Sequence, residues 1–141
     1  MSIKIYYDKL NYRITGSRKT IKLIEKVIWN ENKIPDDLYF IITTDRELNK
    51  INNEFLGRNT LTDIIAFDYS ENKTVRGEIY ISKESVERNS LNYKVSLKNE
   101  MIRVMIHGTL HLCGYSDKNK KGKRRMTEKE NEWLKKINEI E

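Results

Sequence analysis

The 141-residue chain is the length of one domain, which at this size buries about 68–70% of its unfolded surface and needs no staple. One cysteine excludes an internal disulfide, and the longest apolar run, residues 38–42, is far too short to span a bilayer. With no charged-then-apolar N-terminal leader a cytoplasmic location is expected, and 27 Lys and Arg against 21 Asp and Glu leave a net charge of +6, compatible with a polyanionic partner.

Residues 3–7 alternate apolar and polar and carry β-formers, which predicts a first strand. From Ser17 the period changes. Ile21, Leu23, Ile24, Val27 and Ile28 share one side of a helix expected to run to about Asn32, with Pro35 marking its exit. Residues 38–43 are a compact apolar run of strand length. Thr44-Asp-Arg-Glu47 then matches a capping box, and Leu48, Ile51, Phe55 and Leu56 supply the buried stripe of a second helix closed by Gly57.

Residues 62–69 and 77–82 both read as strands, able to pair as a hairpin with a long loop around Glu71 and Asn72. A short helix is expected from Ser82 to about Leu91, and Ser96 suits the N-cap of the next one. Thr127-Glu-Lys-Glu130 matches a second capping box, followed by Trp133, Leu134, Ile137 and Ile140 on one face of a final helix. This order implies an α+β fold in a single domain over residues 1–141: a small mixed four-stranded sheet covered by about five helices. No repeat, linker or second domain is visible.

The chemistry concentrates at residues 107–117. The only two histidines, His107 and His111, are four apart, so on a helix they share a face and can reach one metal ion. Met101, Ile102, Val104, Met105, Ile106, Leu110 and Leu112 make that helix apolar nearly all round, while Glu100, Arg103, His107 and His111 form one polar stripe. A polar stripe on a buried helix needs partners or a cavity. Gly114 tolerates the conformation that ends the helix, after which Asp117 can offer a carboxylate as third ligand. Three protein ligands leave a position for water, the catalytic pattern for zinc, at the end of a buried central helix. Cys113 reads as a small buried hydrophobe, not a fourth ligand.

Directly after this group come Lys118, Lys120, Lys121, Lys123, Arg124 and Arg125. Such a run is ordinarily a solvated, mobile loop, but beside a metal site it also suits a phosphodiester substrate.

His-Gly-Thr-Leu-His-Leu-Cys-Gly-Tyr at 107–115 resembles the signature of the YbeY family of metal-dependent endoribonucleases, usually His-Gly-x-Leu-His-Leu-x-Gly-Tyr-Asp-His. Residues 62–67 (Thr-Asp-Ile-Ile-Ala-Phe) and 77–82 (Gly-Glu-Ile-Tyr-Ile-Ser) are similar to two strands of that family, and the helix from Met126 sits where the family has its last. The resemblance implies single-stranded ribosomal RNA as substrate, at the 3′ end of the small-subunit species, with the ribosome or its proteins as further partners. Two departures stand out. The usual third ligand is histidine where this chain has Asp117, preceded by Ser116, and Phe55-Leu56 stands where the family has an aromatic followed by arginine. Arg58, Arg76 or Arg103 are the residues that could compensate, and Lys121, Lys123, Arg124 and Arg125 are candidates for RNA binding with them.

The mechanism this implies is a divalent ion, zinc, held by His107, His111 and Asp117, with a metal-bound water attacking phosphorus. Position 108 is glycine, so no general base is evident; Glu100 and Arg103 are the candidates on the stripe, and Glu100 equally suits orienting a histidine or pairing with Arg103. Two other readings stay open. His-x-x-x-His-x-x-Gly-x-x-Asp has the ligand spacing of a metzincin-like zinc peptidase, although glycine replaces its general-base glutamate. A non-catalytic, metal-stabilised ribosome-binding module is the other.

Overall fold

The computed structural model describes residues 2–57 and 62–140. Four strands, β1 (Ile3–Tyr7), β2 (Ile34–Thr43), β3 (Ile64–Asp68) and β4 (Thr74–Ser82), form one sheet in the order β1-β2-β4-β3. Both β1 and β4 run parallel to β2, and β3 returns antiparallel to β4, giving the mixed sheet expected. Five helices accompany it: α1 (Ser17–Asn30), α2 (Asp45–Leu56), α3 (Lys83–Tyr93), α4 (Leu97–Leu112) and α5 (Lys120–Lys136), with a short 3-10 turn at Ile137–Glu139. None of the described helices is long and apolar enough to cross a membrane.

Successive strand side chains point to opposite faces, so register decides what lies beneath each helix. Pairing sets Ile5 beside Phe40, Phe40 beside Ile79 and Ile79 beside Ala66. Leu38, Phe40, Ile42, Ile79 and Ile81 are fully buried on this face, where α1 contributes Leu23, Ile24, Val27 and Ile28 and α4 contributes Met101, Met105, Ile106 and Leu110. The opposite face carries edge-to-face aromatic pairs: Tyr6 with Tyr39, Phe55 of α2 with Phe67, and Phe67 with Tyr80.

At Gly108, α4 lies close against the sheet. A Cβ there would lie 3.0 Å from methyl carbons of Ile64 and Ile79, so a larger residue would push the helix outward. The helix begins where its sequence predicts, with the Ser96 hydroxyl accepting from the Asn99 N–H, and α2 likewise begins at Thr44, whose hydroxyl accepts from the Glu47 N–H.

Several boundaries differ from expectation: β3 is shorter, Ile64–Asp68, α3 runs on to Tyr93, and four others have a visible cause. The basic run is not a loop: α5 starts at Lys120, capped by the Asn119 carboxamide, which accepts from the Gly122 N–H at 2.7 Å. Lysine and arginine are good helix formers, so one cap suffices to order them, and Thr127 lies mid-helix instead of starting it. Helix α1 ends at Asn30, with Asn32 at φ 60 turning the chain. Pro35 then belongs to β2, beside an irregularity in its pairing with β4, the kind of position where its missing N–H is tolerated. Strand β4 begins at Thr74, three residues early, because Asn72 at φ 54 and the Glu71–Thr74 bridge close a tight turn in place of the long loop.

Candidate metal centre

Helix α4 carries His107 and His111 one turn apart near its C-terminus, and the turn that follows brings Asp117 back over them. The turn is fixed by backbone bonds: the N–H groups of Gly114 and Tyr115 donate to the carbonyls of His111 and Leu110, with Gly114 at φ 107. Tyr115 clamps it further, since its hydroxyl donates to Glu31 at 3.0 Å and its ring lies 4.9 Å beneath the Arg125 guanidinium. Gly122 presses α5 onto the same segment, because any Cβ there would collide with the Ser116 carbonyl.

The result is a triangle of ligand atoms. His107 Nε2 lies 3.2 Å from His111 Nε2 and 3.4 Å from Asp117 Oδ2, and His111 Nε2 lies 3.5 Å from that same oxygen. A tetrahedral zinc with bonds of about 2.0–2.1 Å keeps its ligands about 3.3–3.4 Å apart, so the spacing fits such an ion. This is the only group of three or more His, Cys, Asp or Glu residues able to hold a metal ion among the described residues.

The donor chemistry fits as well. His107 Nδ1 is 2.7 Å from Glu130 Oε2 and His111 Nδ1 is 3.2 Å from the Tyr115 carbonyl. A carbonyl only accepts, and an ionised carboxylate does the same, so each ring donates from Nδ1 and turns its Nε2 lone pair inward. Two lone pairs and a carboxylate oxygen facing one another repel unless a cation, a metal ion or a proton on one Nε2, lies between them. Burial lowers the proton affinity of His107, but the hydrogen bond and charge of Glu130, with the charge of Asp117, outweigh it and hold the imidazole above its ordinary value.

Glu130 was hidden from the sequence by its apparent place in a capping box. The signal available was periodic: it falls with Met126 and Trp133 on the buried face of α5, and a glutamate in an apolar stripe requires a partner. Its other oxygen accepts from Arg103 Nη1 at 3.3 Å, while Arg103 Nη2 donates to Asn131 at 2.7 Å. Arg103 therefore joins α4 to α5, and a guanidinium does not give up its proton, which removes it as a general base. Glu100 lies 3.7 Å from Arg103 Nε and is 4% exposed. Burial pushes its carboxyl up, against the pull of Arg103.

The basic candidates separate. Lys121 and Arg125, one turn apart on α5, line a cleft with Gly114, Tyr115 and Ser116, beside the metal turn. Lys123 and Arg124 are exposed on the same helix. Arg76 is not brought to the centre: Gly77, its neighbour, faces α4, so Arg76 points to the other side of the sheet, paired with Asp36 at 2.7 Å. Arg58 lies outside the described residues. Phe55 and Leu56, expected in the buried stripe of α2, are instead exposed at its end, Leu48 and Asn52 being the buried residues, and neither supplies a cation where the family has arginine. Cys113 is buried, its thiol pushed up to about 12 chiefly by burial, and is no part of the triangle.

Gly108 bears on the peptidase reading. Its α-carbon faces Ile64 and Ile79, so no side chain of any size, let alone a glutamate, stands there to activate water against an amide.

A family model described as "Endoribonuclease YbeY" matches residues 6–138. The chain is 41% identical over 127 residues to a protein named endoribonuclease YbeY from Flavobacterium psychrophilum, covering 90% of this chain and 91% of that one. A protein of the same name from Karelsulcia muelleri is 40% identical over 129 residues, covering 92% of each. Among solved structures, a Thermotoga maritima protein determined in solution superposes with a TM-score of 0.67 at 27% identity, covering 96% of this chain and 89% of its own.

Proposed function

This chain belongs to the YbeY family of endoribonucleases, and we propose that it cleaves single-stranded RNA at a centre formed by His107, His111 and Asp117 holding one divalent ion, zinc. Its work is ribosomal RNA maturation in the cytoplasm, on the 3′ end of the small-subunit species, in contact with the ribosome. The observation that carries the reading is the triangle of ligand atoms 3.2–3.5 Å apart with both imidazole tautomers fixed toward it.

When bound, the ion supplies an acidified water and offsets charge on the phosphoryl oxygens. The protein's own groups hold and orient. Glu130 keeps the proton on His107 Nδ1, the Tyr115 carbonyl keeps that on His111 Nδ1, and the buried pairing of Arg103 with Glu130 locks α5 against α4. Lys121 and Arg125 supply the cations that hold the phosphodiester backbone next to the centre, with Lys123 and Arg124 extending that surface along α5. Asp117, a harder ligand than imidazole, widens the choice of ion toward oxygen-preferring metals.

The test is incubation of metal-loaded protein with labelled single-stranded RNA carrying a small-subunit 3′ end, beside a folded His111→Ala control. Cleavage by the first and not the second is expected. Equal cleavage by both would place the activity elsewhere, and binding of ion and RNA without cleavage would leave a non-catalytic module.

A further inference from the structure

A second cleft, of about 530 Å³, which shares no lining residue with that of Lys121 and Arg125, opens beside His107 between the start of β3, the end of α3 and the facing sides of α4 and α5. We propose that it receives the nucleobase adjoining the scissile phosphodiester and prefers bases that carry an exocyclic amino group; this rests on the endoribonuclease reading above.

Charge excludes the backbone from this cleft. Among the described residues, three carboxylates, Asp63, Glu100 and Glu130, line it against one guanidinium, Arg103, which Glu130 and Asn131 already engage. A phosphate path there would be repelled, whereas the cations of α5 draw the backbone to the other side of the metal turn. What remains to enter is the neutral part of a nucleotide.

Glu100 points to the kind of base. It is 4% exposed, lines the cleft, and its Oε1 has no hydrogen-bond partner among the described residues, the Arg103 Nε at 3.7 Å being beyond hydrogen-bond reach. An acceptor buried without a donor is costly, and an amino group of adenine, cytosine or guanine supplies one. Asp63 adds a second acceptor, with a long contact from Asn89 at 3.5 Å. Uracil offers one donor, N3–H, and flanks it with two carbonyl oxygens that face the same carboxylate wall, so it fits less well than a base with an exocyclic amino group. The remaining lining suits a ring: Ile64, Val95 and Val104 are apolar, and Tyr93, 65% exposed, offers a face for stacking. A second cation is not the occupant the geometry favours, because these carboxylates do not converge as the His107 group does.

Short oligouridines with a single A, C or G moved stepwise past the scissile bond test the proposal, alongside titration of free nucleosides followed by the Tyr93 ring signals in NMR. At one position A, C or G should raise kcat/KM about tenfold over U. Glu100→Gln should flatten that preference, and Tyr93→Ala, a change at an exposed ring that leaves folding intact, should raise KM for every base there. Cleavage that is indifferent to base at all positions and unchanged in Tyr93→Ala overturns the base site and leaves the nuclease standing. Nucleosides that perturb Tyr93 in the expected order, with no RNA cut by the loaded protein, sustain the base site and overturn the nuclease.

Discussion

His107 and His111 sit one turn apart on the same helix, yet they are held by different kinds of structure. The His107 ring is fixed by a side chain, Glu130, which arrives from α5 twenty-three positions later, and which is itself held by Arg103. The His111 ring is fixed by the main-chain carbonyl of Tyr115, inside the turn that ends its own helix. One support is tertiary and can be removed by a single substitution. The other is written into the backbone and survives any side-chain change that leaves the turn closed.

Breaking the first support is the most direct test of this difference. Glu130→Ala should weaken ion binding about 10–100-fold, read by competition with a chelating dye, and Glu130→Gln, which still offers an acceptor to Nδ1, should recover part of it. A Gly108→Ala substitution acts on both histidines alike, since the added methyl meets Ile64 and Ile79 at 3.0 Å. It should cost about 1–3 kcal/mol in denaturant unfolding and displace the two ligands together. Asn119→Ala removes the cap of the helix that delivers Glu130, at about 1 kcal/mol, and, because the same end of α5 packs on Ser116 and Tyr115, should loosen both supports slightly.

The smallest signal sharpens the other side. Cys113 lies in the His111 turn, and burial, with the Glu31 charge, pushes its thiol up to about 12. It should therefore resist a thiol reagent at pH 8 in the native protein and in Glu130→Ala, and react only when the turn opens. The sign with pH follows. The unfolded thiol ionises near its ordinary value of 9.0 while the folded one stays neutral, so this residue favours unfolding as pH rises from about 9 toward about 12.

The same division governs what could be read from the sequence. His107, His111 and Asp117 fall within eleven residues, and helical spacing, a terminating glycine and a carboxylate are local features that a sequence displays. The four strands were legible because each carries its own hydrophobic pattern. What was not legible depends on distant neighbours. Residues 120–125 looked like loop because nothing apolar marks them; they are helical because Asn119 caps them and Gly122 lets the helix press on Ser116. Glu130 looked like a capping residue because Thr127 stands three before it, and only the approach of α4 reveals its partner. Pro35 looked like a terminator, and pairing with Val75 makes it part of a strand.

The order of these parts along the chain sets a timetable. Among the described residues every strand lies within 3–82, while the candidate ligand atoms and the hydrogen-bond partners of both imidazoles come from residues 107–130. A ribosome makes the N-terminal part first, so all four strands and α1 have emerged before either histidine leaves the exit tunnel, although the sheet's core face is closed only when α4 follows. His111 meets its support within a few residues of being made, but His107 waits until α5 has emerged and packed. The nascent chain thus passes through a stage with both histidines and no Glu130, which Glu130→Ala imitates in the finished protein. The candidate centre is complete only with the last long helix.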